Sequence, residues 1–257
     1  MRNIIVGLFI SVMALTGLSS LAAEIHLPGG TKLFGDVLIA EKFYKTEIVD
    51  GRKVQVPLPY RVWPGPNGMR DSNYFDVRIE AHPGDVIMLA AGKYKFDVWV
   101  YTPGITITTD PNTEGIANIW GTVEIDADDV TLDGIAVTGP RKDDRGLSSG
   151  HGIELNRGPI SKVVIKNCLV EDNEWMGIHV IGARGEIEEL RVENSRIINN
   201  GSFGIECQTV KNLIVTGCTI TGNLEGIHVG SYVDNVVLKD NVITDNKEVN
   251  VFRKGSS

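Results

Sequence analysis

From about residue 120 onward the chain is a succession of short runs in which apolar and polar residues alternate, each closed by turn residues. Residues 163 to 180 illustrate the unit. Val163, Ile165, Cys168 and Val170 are apolar, with a bend at Lys166-Asn167, and Glu171-Asp172-Asn173-Glu174 turns the chain into Gly177-Ile178-His179-Val180. Alternation of period 2 within runs of three to five residues predicts strands and excludes amphipathic helices.

The runs repeat in register. Gly152-Ile153-Glu154-Leu155, Gly177-Ile178-His179-Val180, Gly204-Ile205-Glu206-Cys207 and Gly226-Ile227-His228-Val229 form one series, with steps of 25, 27 and 22 residues. Leu132, Ile165, Val192, Val215 and Leu238 form a second, and Asn173, Asn200, Asn223 and Asn246 a third. Three columns with nearly one period predict stacked coils of three short strands. A single coil cannot bury its apolar face, whereas a stack buries a continuous apolar axis between parallel strands. Ile153, Ile178, Ile205, Ile227, Leu132, Ile165, Val192, Val215 and Leu238 are the expected core. The asparagines suit left-handed turn geometry, and their amides can hydrogen-bond from coil to coil.

On these residues the sequence resembles the right-handed parallel β-helix superfamily, the pectin-lyase-like fold. Ala81-His82-Pro83-Gly84-Asp85-Val86-Ile87-Met88-Leu89, followed by Gly92-Lys93-Tyr94, is similar to the usual first coil, and Asp128-Asp129-Val130-Thr131-Leu132-Asp133-Gly134 to a later one. The resemblance implies an all-β, single-stranded solenoid of six or seven coils over residues 82–257. It implies no single function, because lyases, epimerases, hydrolases, phage tailspikes and non-enzymatic modules share this scaffold.

Residues 24–81 read as an N-terminal cap. Phe43 to Val49 and Lys53 to Leu58 flank Asp50-Gly51, a hairpin signal. Pro57, Pro59, Pro64 and Pro66 mark an irregular loop, and the alternation from Phe75 to Ala81 favours a strand over a capping helix. Residues 1–23 read as a signal peptide: Met1-Arg2-Asn3, an apolar stretch from Ile4 to Leu18, and small residues allowing cleavage before Ala23 or Glu24. The expected location is therefore the periplasm or the extracellular space, with no stable membrane insertion after cleavage.

Composition narrows the partners. Glycine, at 29 of 257 residues, fits a chain of many turns, and the formal net charge of −8 comes with no basic block. Nucleic acid is thus an unsuitable partner. The three cysteines are an odd number for an exported protein. Alternation points Cys168, Cys207 and Cys218 inward. Cys168 and Cys218 share a column with Ser195 between them, about two strand spacings (~9.6 Å) apart, which is too far for a disulfide.

The chemistry falls on the outward positions. If Ile153 and Leu155 face the core, the residue between them faces out, and the same offset gives Glu124, Glu154, His179, Glu206, His228 and Asn250 at ~4.8 Å intervals. Glu154, His179, Glu206 and His228 are the candidate catalytic residues. Carboxylates beside imidazoles can exchange protons or share a divalent metal. His179, flanked by two glutamates, is the first candidate base, although both carboxylates favour its charged form and raise its pKa towards the acid role. A structural ladder, with histidine separating like-charged glutamates, would have the same composition. Glu124, Trp120, Trp175, Phe203, Arg157, Arg184 and His151 are candidate substrate contacts, since aromatic faces with cations and carboxylates suit sugar rings bearing acidic groups.

The signatures of named enzymes do not fit this map. Gly150-His151-Gly152 resembles the histidine motif of polygalacturonases, and Asn112-Thr113-Glu114-Gly115-Ile116 and Asp128-Asp129 resemble their carboxylate motifs. Yet Glu114 and Asp128 are too close in sequence for one coil, and no Arg-x-Lys follows. The Asp-Pro-His of alginate epimerases and the basic motifs of calcium-dependent lyases are absent, and no lysine stands in the outward column. The expected function is binding or processing of an acidic, uronic-acid-type polysaccharide, as lyase, epimerase or glycoside hydrolase if the chain is an enzyme. A non-catalytic glycan- or protein-binding module is the alternative. So is a NosD-like metal-site maturation factor, for which Glu206 between His179 and His228 is a poor copper(I) ligand. No cofactor is required by the sequence; the column allows calcium or another divalent metal.

Overall fold

The computed structural model describes residues 24–27, 36–40, 44–49, 52–57, 75–139, 150–156, 158–182 and 186–254. The expected signal peptide, the expected proline-rich loop at 59–66, Arg157 and Arg184 lie outside the described residues.

Each coil runs through three parallel sheets in turn. The first sheet stacks Val86–Leu89, Thr106–Thr109, Val130–Asp133, Ile160–Lys166 and Ile187–Glu193. The second has seven strands, from Gly92–Tyr94 to Val242–Thr244. The third stacks Val98–Val100, Val123–Ile125, Ile153–Leu155 and Ile178–Val180, and ends on Val249–Arg253. In the later coils Phe203–Thr216 and Glu225–Lys239 run unbroken from the third sheet into the first. Among the described residues every strand pair is parallel except the hairpin of Tyr44–Val49 with Arg52–Pro57. Near the N-terminus, Glu24–Leu27 pairs with Val86–Leu89, and Asp36–Ala40 lies between Val98–Val100 and Phe75–Glu80. The expected hairpin and the expected 75–80 strand are therefore both present.

The predicted columns are the observed register. Ile153, Ile178, Ile205 and Ile227 are successive partners, as are Leu132, Ile165, Val192, Val215 and Leu238. All are fully buried except Leu238, which is 36% exposed. Leu238 belongs to the last coil, on whose first-sheet strand no described residue stacks, so its column position is right and its expected burial is not. Cys168, Cys207 and Cys218 are buried and unbridged, and the Cys168 amide donates to Ser195 Oγ at 3.1 Å, as the shared column requires.

The asparagine column is a hydrogen-bonded ladder. Asn173 Nδ2 donates to Asn200 Oδ1 at 2.7 Å, Asn200 Nδ2 to Asn223 Oδ1 at 2.9 Å, and Asn223 Nδ2 to Asn246 Oδ1 at 3.0 Å. Each acceptor oxygen also takes a backbone amide of the preceding coil. The left-handed backbone falls one residue earlier than expected, at Asp172, Asn199, Gly222 and Asp245. The ladder asparagine is thus chosen for its amide and its neighbour for its tolerance of positive φ. The glycine column interlocks with it: a Cβ on Gly177 would lie 2.7 Å from Gly204 O and 2.8 Å from Asn200 Nδ2. Asn200→Ala should therefore cost about 1–3 kcal/mol, because it strands buried groups of Asn173 and Asn223. Urea unfolding measures this, and an unchanged midpoint would mean that the ladder contributes nothing.

Candidate functional site

Strand alternation places the outward column on the third sheet, in register Trp99, Glu124, Glu154, His179, Glu206, His228 and Phe252. Phe252, not Asn250, follows His228. Asn250 sits opposite Gly226, where a Cβ on the glycine would strike its carbonyl, and so takes over the glycine position of the final coil. At the other end, Trp99 Nε1–H donates to Glu124 Oε2 at 2.5 Å.

The middle of the column is a buried triad. Glu154, His179 and Glu206 are only 7–8% exposed although they point away from the solenoid axis. His179 Nδ1 faces Glu154 Oε1 at 3.5 Å, and Nε2 faces Glu206 Oε2 at 3.3 Å. Nδ1 is buried without an aligned hydrogen bond, so its link to Glu154 is an ion pair. Gln208 Nε2 fixes the other oxygen of Glu206 at 2.5 Å. Burial by itself would lower the His179 pKa. The two carboxylates outweigh it and raise the value to about 9. Burial likewise opposes ionisation of Glu154 and Glu206, and contact with His179 wins again, holding both below the usual carboxylate range. His179 is therefore an imidazolium at neutral pH and is unavailable as a base.

His151 is the group whose role the sequence understated. It lies three residues before Glu154, in the turn leading into the strand, and its ring stacks on His179 with centroids 4.2 Å apart and planes tilted by 32°. The Met176 amide approaches Nδ1 at 3.4 Å. Burial, reinforced by the charge on His179, lowers its pKa to about 4. A neutral and a charged imidazole are thus in contact at neutral pH, which gives a proton acceptor and a proton donor side by side. The donor atoms of His151, Glu154 and His179 also lie within 4.8 Å of one another.

His228 is separate from this group. Its Nδ1 pairs with Glu225 Oε2 at 2.8 Å, and its ring is stacked between Phe203 and Phe252, with centroids 4.8 and 4.7 Å away. The four expected catalytic residues therefore divide into a triad and a stacked histidine–glutamate pair. Phe203 is one residue closer to its strand than the tryptophan rim, since the Ser202 amide, not that of Phe203, bonds to Trp175 O. Trp175 lies against Gly150, where a Cβ would come 2.5 Å from its ring, and is 53% exposed. Trp120 lies under two ammonium groups, with Lys93 Nζ 3.9 Å and Lys95 Nζ 4.3 Å from its ring centroid.

No curated protein and no solved structure matches the chain. The family model described as right handed beta helix region matches residues 115–257, which include the triad, His151, His228 and every turn of the asparagine ladder. Together with the parallel three-sheet coil, this makes the chain a member of the right-handed β-helix family.

Proposed function

We propose that the chain is an exported β-helix protein that takes an acidic, uronic-acid-type polysaccharide along the third sheet and its rim. The observation that carries this reading is the rim itself. Trp120 and exposed Trp175 stand three residues before Val123 and Ile178, which lie two strands apart in the third sheet, and Lys93 and Lys95 lie over the ring of Trp120. Flat aromatic faces pack against the C–H face of a sugar ring, and adjacent ammonium groups suit its carboxylates. The buried triad is acidic and repels such a chain, so the sugar acids belong over the lysines. The His151–His179 pair supports processing as well as binding, because lyase and epimerase chemistry needs one group to take a proton and another to give one.

Trp175→Ala should weaken binding to polygalacturonate or alginate by roughly tenfold, the effect of losing about 1.4 kcal/mol of contact, and should leave the melting temperature unchanged. Calorimetric titration with and without calcium, against a neutral glucan as control, measures this. Failure of every acidic polysaccharide to bind, or equal binding by the variant, would overturn the reading. Ultraviolet absorbance from an unsaturated uronide then separates lyase action from binding alone.

A further inference from the structure

We propose that His151, Glu154 and His179 form a three-ligand site for a divalent transition metal of the zinc class. Two adjacent coils supply the donors: His151 and Glu154 come from one turn and strand, and His179 from the strand stacked beside it. Their ligand atoms lie within 4.8 Å of one another. An ion between them needs each donor at ~2.1 Å, so the side chains close in and the two stacked rings turn their nitrogens towards it.

A second observation is independent of that proximity. His179 Nδ1 is buried, has no aligned hydrogen bond and is directed at Glu154, while Nε2 faces Glu206 at 3.3 Å. Metal-bound histidines typically ligate through one ring nitrogen and donate the other N–H to a carboxylate that fixes the ring. Glu206 stands in that place and is itself held by Gln208. The ion replaces the proton on Nδ1, which leaves to solvent, and the Nε2–H to Glu206 remains. Two imidazoles and one carboxylate select zinc, cobalt(II) or a similar ion over calcium, which prefers a shell of oxygens. Three protein ligands leave a coordination position open for an exogenous oxygen donor.

The site shares His151 and His179 with the proton-transfer pair of the glycan reading but not the tryptophan and lysine rim that carries that reading, and its test uses no polysaccharide, so either can fail without the other. Chelator-stripped full chain is titrated with Zn²⁺ by calorimetry and with Co²⁺ by visible absorbance. The expected result is stoichiometric uptake and the intense visible bands of low-coordinate cobalt. Affinity should fall more than about 100-fold in His151→Ala and Glu154→Gln, fall about 10–100-fold in Glu206→Gln, and stay within about twofold in His228→Ala. Melting curves establish that each variant is folded. Wild type that takes up no stoichiometric metal overturns the proposal, whatever the variants do. So does undiminished binding by His151→Ala, or a loss in His228→Ala as large as in His151→Ala.

Discussion

Ile205→Asp is expected to prevent folding altogether. Ile205 is completely buried and lies between Ile178 and Ile227 in the continuous column that lines the axis. The substitution removes a large aliphatic group, a loss of about 2–5 kcal/mol in a core that cannot collapse around the gap. It also places a carboxylate where the inward neighbours are aliphatic and no cation can reach it, at a further cost of several kcal/mol. Domains of this kind have about 5–15 kcal/mol in total. A solenoid spreads the damage, because each coil is the template for the next. Soluble yield and far-ultraviolet circular dichroism measure the outcome, with Ile205→Val as a control costing about 1 kcal/mol. A soluble aspartate variant that melts like wild type would show the register to be wrong.

That register was legible because the repeat imposes it. A glycine with no room for a Cβ, an isoleucine facing the axis and an asparagine in the ladder recur together, and each column constrains the other two. The last coil was misplaced because Val249-Asn250-Val251 alternates as convincingly as Val251-Phe252-Arg253. The ladder does not remove the ambiguity. Asn173 and Asn200 precede their core isoleucine by five residues but Asn223 precedes Ile227 by four, so counting on from Asn246 reaches either Asn250 or Val251, and only the strand pairing puts Phe252 outside. Leu238 shows a different limit: alternation gives a side chain's direction, but not whether another coil lies beyond it. The same limit applies to the triad. Period 2 directs Glu154, His179 and Glu206 away from the axis and is silent on how buried they are. It is silent also on turn residues, so His151 could be found as a candidate contact but not as the ring lying on His179.

Replacing His179 by leucine is expected to destabilise the fold by about 3–5 kcal/mol, the usual cost of breaking a buried ion pair from one side. A surface position would lose under about 1 kcal/mol; burial of the triad makes the difference, since Glu154 and Glu206 would then face an apolar group with no charge between them. The loss should depend on pH in a defined direction. The His179 pKa is 6.5 in the unfolded reference and about 9 in the fold. Its stabilisation is thus complete below about pH 6.5 and fades as pH rises through about 9, with a pH-dependent part of about 3 kcal/mol. His151 acts in the opposite sense. Its folded pKa of about 4 means that between pH 6.5 and 4 the unfolded chain binds a proton that the fold refuses, so stability falls on acidification. The lowered pKa values of Glu154 and Glu206 add to the acid limb as those carboxylates are titrated. Wild type should therefore be most stable near neutral pH. In His179→Leu the alkaline limb should vanish, and the gap to wild type should be widest near neutrality. It should narrow above pH 9, where His179 is neutral in wild type as well, and narrow again in acid, where protonation relieves the two facing carboxylates. Urea unfolding at intervals from about pH 5 to 10 measures both the gap and its shape. A constant gap of under about 1 kcal/mol across that range would mean that the triad is solvated and contributes nothing to holding the coils together.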